Sequence, residues 1–548
     1  MPSFNEHTLN SILQNSVENF SSNEVFGFIG EKAYTYKEFG EKVKEISLWL
    51  TKQGIKKGDK VSILSENSPS WVISFWAITN IGAIAVPILP DFSLKEISNI
   101  LDHSEANMIF ISNNLIKKNQ ELDFKGDIII INDFTDYKTG KSIVDELNKD
   151  EIDKFEFPVT EKDDISSLIY TSGTTGRSKG VLLTHGSLCY VAEMSYYMQD
   201  INSSDVLLSI LPLSHVYENV LGMIFPIQQG AKIYYMNRPP TPTLLADSMK
   251  RVRPTMMLIV PLIIEKIYQN KIKPVLKKNA IIRGGMHIWP IRYLINNLLG
   301  KKLKQAFGGR LRFLGIGGAA LEWTTERFLR DGRIPYSCGY GLTETSSLIF
   351  GSKVFKVKAR SVGQPLKGVE FRIIKPKITD EIGEIVVNSK GNMKGYYKQP
   401  DATDAVLTSG NWFHTGDLGM YKNNALYLRG RSKTMILGPS GENIYPEEIE
   451  SELNQLEGVV ESLVYEHKGK IMGKVYLNLE ELSKKYDFFK EVASYHSADV
   501  HHKMTSFLKD LCKKLNAHLG KFSQVSELNI VLEPFEKTPT NKIKRHRN

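Results

Sequence analysis

Apolar positions over the first 160 residues switch repeatedly between helical and extended spacing. Phe39, Val43, Ile46 and Leu50 recur three or four apart behind Tyr34-Thr35-Tyr36, which predicts an amphipathic helix. The run Lys60 to Leu64 (KVSIL) reads as the strand that follows. An apolar helix over 71–81, a strand from Ala83 to Ile88 and a helix from Ser93 to Leu101 continue the alternation, with Ser93 and Glu96 spaced as a capping box. Phe124 to Ile131 supplies a further strand, while 138–157 is polar and acidic and predicts a helix or linker. Alternation of this kind argues for an α/β layer.

Further along, Ile165 to Tyr170 is a short apolar strand, and Val181 to Tyr190 an apolar segment leading into a helix. Val206 to Ser214 is predicted as a strand ending at His215. Beyond Val362 the pattern becomes strand-rich, with FRII (371–374), EIVV (384–387) and ALYL (425–428) separated by Gly and Pro turns. The last hundred or so residues predict a small α/β unit with a lysine-rich helical insertion over 484–518. Trp71 to Pro90 has no charge over about the length of a spanning helix. Asn80, Gly82, Pro87 and Pro90 break it, so a buried helix followed by a strand is the expectation.

At 548 residues, with 41% hydrophobic and 24% charged, the chain suits a multidomain globular enzyme. The net charge of +9 favours polyanionic ligands or an anionic membrane surface. Basic residues read as dispersed, with one dense run from Lys542 to Arg547, and neither zinc spacing nor a groove-reading helix is present, so no nucleic-acid partner is expected. Cys189, Cys338 and Cys512 lie far apart and fit a reducing cytosol. The N-terminus MPSFNEHTLNSILQ lacks the basic start and apolar run of a signal peptide, so a cytoplasmic location is expected. Ile281 to Leu299, apolar and slightly basic, is a candidate to cover the core or to touch the inner face of a membrane peripherally.

The densest chemistry lies in Tyr170 to Gly180 (YTSGTTGRSKG), where glycines, hydroxyls and a lysine supply the donors a phosphate chain requires. It is not a Walker A loop, because Arg177 and Ser178 separate Gly176 from Lys179. The loop resembles the phosphate-binding core of the adenylate-forming superfamily of acyl-CoA synthetases, luciferases and peptide-synthetase adenylation domains. PLSHVYE around His215, VPLIIEKIYQNKI (260–272), GGRLRFLGIGGAAL (308–321), Gly339-Tyr340-Gly341-Leu342-Thr343-Glu344, WFHTGDLG, LRGRSKTMIL, PSGENIYPEEIE and FEKTPTNKIKRHRN follow in the family's order. The likeness runs from about Tyr34 to the end and is greatest to bacterial long-chain fatty acyl-CoA synthetases.

The resemblance implies a large N-terminal domain over 1–432, built of two α/β subdomains plus a distorted β-barrel, and a small mobile C-terminal α/β lid over 433–548 hinged near Lys433. It implies ATP, Mg²⁺ and CoA, with a fatty acid activated as acyl-AMP and passed to CoA. A separate acyl carrier protein is the alternative acceptor. Thr171, Ser172, Gly173, Thr174, Thr175, Gly176 and Lys179 would cradle phosphates; Gly339, Tyr340 and Gly341 would flank adenine; Thr343 would contact phosphate. Glu344 with Thr171 would hold the metal, Asp417 and Arg431 the ribose, and Gly441 would approach pantetheine. His215, Val216, Gly317 and Gly318 are expected at the acyl pocket, where Val216 offers no counter-ion for an ammonium and so favours an apolar acid over an amino acid. Lys542 is the match for the family's adenylating lysine, although Asn541 stands where the family usually has Gly, and Lys544 and Lys537 are the alternatives. Oligomeric state is not readable from these residues.

Overall fold

The computed structural model describes residues 7–171, 179–277, 280–377, 379–437, 443–490, 498–520, 523–538 and 543–545, with the backbone alone for 280, 281, 443, 490, 498 and 499. The phosphate loop 172–178, Gly441, Asn541 and Lys542 lie outside the described residues. The chain divides into two units, one of Met1–Phe371, Val386–His414 and Lys422–Leu426, the other of Arg372–Ile385, Thr415–Tyr421 and Tyr427–Asn548.

The predicted alternation is realised in the first unit. Helix Tyr36–Lys52 starts on Thr35, whose side chain accepts from the Glu38 N–H, and its Phe39, Val43, Ile46 and Leu50 are all fully buried. Ser93 and Glu96 cap helix Leu94–Ser104 reciprocally: the Ser93 N–H donates to Glu96 at 2.9 Å and the Glu96 N–H returns to the Ser93 hydroxyl at 3.4 Å. The uncharged stretch forms the buried helix Pro69–Asn80 and the strand Ile84–Ile88, and among the described residues no helix is long and apolar enough to cross a membrane. Three predicted elements are shorter than expected, and the strand expected over Phe124 to Ile131 is Asp127–Ile130. The strand that opens at Val206 ends at Ser209, three residues before Pro212, and within 138–157 only Lys149–Lys154 is helical.

Two mixed sheets carry this unit. The nine-stranded sheet orders its strands as Gln364–Pro365, Phe350–Gly351, Tyr336–Tyr340, Phe313–Ile316, Met256–Ile259, Val206–Ser209, Lys232–Tyr235, Glu24–Phe28 and Tyr34–Thr35. The five central neighbours from Tyr336–Tyr340 to Lys232–Tyr235 run parallel, so loops carrying chemistry gather at their carboxyl ends. The eight-stranded sheet places Ile165–Thr171 between the parallel strand Ile84–Ile88 and the antiparallel strand Lys179–Thr184, with Gly395–Tyr396 at its edge. Cys189 and Cys338 are free thiols buried in this unit, and burial pushes both up in pKa.

The second unit has its own core. Val459–His467 and Lys470–Leu477 form an antiparallel pair, Glu527–Val531 adds a parallel third strand, and helices Pro446–Leu453 and Ala498–Asn516 contribute Ile449, Leu453, Met504 and Leu511 to the same apolar cluster. Helix Pro446–Leu453 begins with Pro446, Glu447 and Glu448, which suits the positive end of its dipole.

Candidate functional site

In the first unit the last residue pair of the hairpin, Thr171 opposite Lys179, brackets the glycine-rich loop. The edge strand Gly395–Tyr396 pairs with Lys179–Thr184 two rungs further in, Tyr396 opposite Val181. This register sets the Tyr396 ring under Lys179, whose Nζ lies 4.3 Å from the ring centroid. The Tyr396 hydroxyl donates to Oε1 of Glu344 at 2.9 Å. Lys179 and Glu344, expected at the phosphates and the metal, are therefore linked through one aromatic residue that the motifs do not single out.

Glu344 sits in a tight turn. Strand Tyr336–Tyr340 ends at Tyr340, Thr343–Thr345 forms a 3₁₀ turn, and the Met393 N–H donates to the Glu344 carbonyl at 2.7 Å. Ser346 (φ 53°) and Ser347 (φ 97°) follow in left-handed conformations that non-glycine residues rarely adopt, with hydroxyls that are buried and have no hydrogen-bond partner among the described residues. Backbone strain of this kind concentrates where a site over-determines its geometry. Gly341 is required here by contact, because a Cβ would overlap the Ser347 carbonyl oxygen. Tyr340 is buried, 6.3 Å from the ring of Phe350 on the adjacent strand.

An apolar pocket opens beside this turn. Its lining runs from Gly339 and Gly351 past Met198, Tyr217, Leu221 and Phe225 to Met256, Leu258 and Phe313. Among the described residues no charged side chain lines it, and Ser195, Gln199, Ser337 and the Tyr217 hydroxyl are its polar side-chain groups. Tyr217 lies across strand Phe313–Ile316, where a Cβ on Gly315 would come 3.2 Å from its hydroxyl and a Cβ on Gly317 would come 3.2 Å from its ring. Glycines at 315 and 317 thus make room for this ring. Gly318, at φ +87°, turns the chain away near Val260. His215, Val216, Gly317 and Gly318 are not among the lining residues; His215 accepts the Tyr217 N–H at Nδ1 (3.2 Å), and Val216 is buried.

Behind Tyr217, Glu218 opens a π-helical turn, Glu218–Ile224, and is fully buried. Its Oε1 accepts from Ser209 at 2.6 Å, while Oε2 has no hydrogen-bond partner among the described residues. Burial pushes its pKa up to about 8, with the Ser209 bond working in the opposite direction, so the carboxyl carries its proton at neutral pH. The same Ser209 accepts from Asn67, which also holds the Leu211 carbonyl and the Leu213 N–H. Glu218 thereby supports, through Ser209 and Asn67, the segment leading to His215.

In the second unit, Gly416 (φ +68°) donates its N–H to Glu384 at 3.1 Å, the Asp417 N–H donates to the Thr415 hydroxyl at 3.1 Å, and Arg431 Nε lies 3.1 Å from Oδ1 of Asp417. Asp417 and Arg431, fourteen positions apart in sequence, are brought together as an ion pair. Lys433 follows in an exposed turn. Of the terminal cations, Lys537 pairs with Glu461, Lys544 with Glu536 at 2.7 Å, and Arg545 with Glu450 at 2.7 Å.

The AMP-binding enzyme family pattern matches residues 13–397, from the first helix through the edge strand that bears Tyr396. The chain belongs to this family. Among AMP-binding enzymes and their relatives it is 28% identical to long chain acyl-CoA synthetase 1 of Arabidopsis thaliana, over 96% of this chain and 87% of that protein. It is 26% identical to a chloroplastic long-chain-fatty-acid–[acyl-carrier-protein] ligase of the same plant, over 78% and 70%. In fold it is similar to o-succinylbenzoate coenzyme A synthetase from Bacillus subtilis in complex with ATP and magnesium ion, with a TM-score of 0.75, 22% identity and 98% of each chain covered. The mixed α/β sheets of a large N-terminal domain and a small C-terminal domain are those of this adenylate-forming fold.

Proposed function

We propose that this AMP-binding enzyme activates a long-chain fatty acid with ATP, as an acyl adenylate, and transfers the acyl group to CoA. The observation that carries the reading is the uncharged cavity that reaches Gly339, the first residue of the Gly-Tyr-Gly-Leu-Thr-Glu turn. An apolar tail enters such a cavity without leaving a buried charge unpaired, whereas a substrate ammonium would find no counter-ion there. The names of the plant relatives agree with this choice of acid.

In the first step a carboxylate oxygen attacks the α-phosphorus of ATP and pyrophosphate leaves. In the second the CoA sulfur attacks the acyl carbon, AMP leaves, and the thiol proton passes to solvent. Lys179, Thr343 and the loop 171–176 would hold phosphate oxygens, Tyr340 would face the adenine, and Asp417 with Arg431 would hold the ribose. Among the described residues no three His, Cys, Asp or Glu side chains cluster as metal ligands. Glu344 supplies one carboxylate, and Mg²⁺ commonly takes one or two carboxylates and completes its shell with phosphate oxygens and water. Glu344, with Thr171, would hold it, and the ion would supply charge neutralisation at the phosphates. Lys542 would neutralise charge during adenylation, with Lys544 and Lys537, which pair with Glu536 and Glu461, as the alternatives. Lys433 is the proposed hinge for the change from adenylation to thioester formation, with Gly441 approaching pantetheine in the second step.

Pyrophosphate release by the full-length protein with ATP and Mg²⁺, measured across acetate, octanoate, palmitate, oleate, benzoate and amino acids with and without CoA, tests the reading. Turnover with long fatty acids that requires CoA is expected. Adenylate formation unaffected by CoA would redirect the second step to a carrier protein, as the name of the chloroplastic relative suggests, and preference for amino acids would overturn the assignment of the cavity. Lys542→Ala should lose adenylation yet still pass a preformed acyl adenylate to CoA; Lys433→Pro should show the reverse.

A further inference from the structure

The positive charge of this protein is concentrated in one segment. Residues 266–321 contain twelve Lys and Arg and no Asp or Glu, a net of +12 against +9 for the whole chain, so the remaining residues together carry −3. What read as a dispersed excess is local. Arg292 and Arg312 are neutralised by acids from outside the segment, Asp331 at 2.9 Å and Asp205. Arg283, Lys301 and Lys302 are exposed and have no acidic partner among the described residues. Lys304 is held below the ordinary lysine range by partial burial and by the neighbouring charges of Arg333 and Lys301.

The same segment exposes apolar side chains that a protein in water normally covers. Trp289 (65% exposed), Leu294 (61%), Ile288 (54%), Leu298 (53%) and Ile291 (42%) are five of the fifteen large apolar residues exposed among the described residues. All five fall within eleven positions. They sit on or just before helix Trp289–Ala306, which has two apolar faces. One, with Ile295, Leu299 and Leu303, packs on the core beneath the nine-stranded sheet, and Arg292 and Asn296 hold Asp331 of the neighbouring helix. The other places Ile291, Leu294 and Leu298 three and four apart, so they share an outward stripe, and Lys301 and Lys302 continue that stripe at its end. Trp289 stacks on Tyr293 with centroids 6.2 Å apart at the opposite end.

We propose that this stripe and its surrounding lysines and arginines dock the protein on an anionic lipid bilayer. Leu and Ile in the centre, an aromatic pair at one end and lysines at the other form the arrangement that enters the headgroup boundary, where apolar side chains reach acyl chains and ammonium groups meet lipid phosphates. A second copy of this chain is disfavoured as the occupant, since a symmetric contact would oppose two such positive segments. Nucleic acid is disfavoured because phosphates offer nothing to an outward row of Ile and Leu. The docking stands on charge and exposure alone and is independent of which acid the enzyme activates.

Flotation of the full-length protein with phosphatidylcholine vesicles and with phosphatidylcholine–phosphatidylglycerol vesicles tests the proposal. Binding to the anionic vesicles that weakens with added salt is expected. Leu294→Ser/Leu298→Ser should reduce it about tenfold or more through lost apolar burial. Lys301→Glu/Lys302→Glu should do the same through charge reversal. These side chains are exposed, and circular dichroism of both variants should match the parent; should the leucine variant misfold, the lysine variant still reads the effect. A blue shift of fluorescence on anionic vesicles that disappears in Trp289→Phe would support insertion of this ring. Failure of the parent protein to float with anionic vesicles, equal flotation with neutral ones, or full binding by both double variants would overturn the proposal. So would a stripe-dependent dimer without vesicle binding, or salt-sensitive binding to duplex DNA in its place.

Discussion

Tyr396 donates its hydroxyl to Glu344 at 2.9 Å across fifty-two residues of chain. The bond leaves one carboxylate oxygen held by a rigid phenol, while a face of the same ring carries Lys179. A carboxylate expected to meet a cation at the phosphates is thus oriented by a residue that also steadies the phosphate-loop lysine. Tyr396→Phe keeps the ring and removes the hydroxyl. A hydrogen bond to a charged group is worth about 1.5 kcal/mol or more, so kcat/KM for MgATP should fall roughly tenfold with little change in thermal stability. An unchanged kcat/KM would mean that Glu344 is oriented by other contacts.

Glu218 makes stability depend on pH in a defined direction. Its pKa rises from 4.5 to about 8 in the folded protein, so the folded state keeps a proton that the unfolded state releases. The contribution is fully present below pH 4.5 and is lost as pH rises through about 8. Glu218→Gln retains an acceptor for Ser209 and cannot ionise. The difference in thermal midpoint between the variant and the parent should therefore move in favour of the variant as pH is raised from 5 towards 9. A difference that stays constant across that range would show that Glu218 is ionised in the fold.

Gly341 tests the turn that carries Glu344. A methyl group there would meet the Ser347 carbonyl oxygen and the Leu348 Cα, both backbone, so no side chain can swing away. Gly341→Ala should cost about 2 kcal/mol or more and lower the melting temperature by several degrees. Gly309→Ala is a comparison of another kind: its Cβ would meet nothing within 4 Å, but its φ of +78° still penalises a side chain. The loss at 341 should exceed that at 309, as differential scanning calorimetry would read.

Tyr217 lines the cavity with Gly315 and also lies against Gly317. Tyr217→Ala should enlarge the space and shift the ratio of kcat/KM for a branched or aromatic acid over a straight-chain acid by about tenfold or more, in favour of the bulkier acid. A ratio unchanged by the variant would place acyl selection elsewhere. Gly317→Ala offers the opposite change, since the added methyl would press on the same ring.

Asp417 and Arg431 form a readout within the second unit that needs no fatty acid. Asp417→Asn removes the charge that Arg431 neutralises. Calorimetric titration with AMP should show affinity lower by about tenfold if the carboxylate accepts the ribose hydroxyls, the loss of one or two charge-assisted hydrogen bonds. Equal affinity in the variant would leave the pair a purely structural one.

Much of the fold follows from local rules that a sequence displays. Phe39, Val43, Ile46 and Leu50 are buried because a helix puts every third or fourth residue on one face, and Ser93 caps a helix because Glu96 stands three residues on. The breakers in the uncharged stretch from Trp71 divide it into a helix and a strand for equally local reasons. The order of the motifs was enough to indicate the family. Periodicity could not say which apolar positions stay in water. Ile291, Leu294 and Leu298 repeat as a core face does, and only the packing of Ile295, Leu299 and Leu303 on the other side leaves them outside. Tyr396 reaches Glu344, and Tyr217 lies on Gly315 and Gly317, through strand register and sheet order, which bring distant segments into contact. The proton on Glu218 depends on how completely the surrounding chain excludes water. Residue types and spacing determined which elements form and which chemistry they carry; tertiary packing decided which groups meet, because contact and desolvation are properties of three-dimensional neighbours.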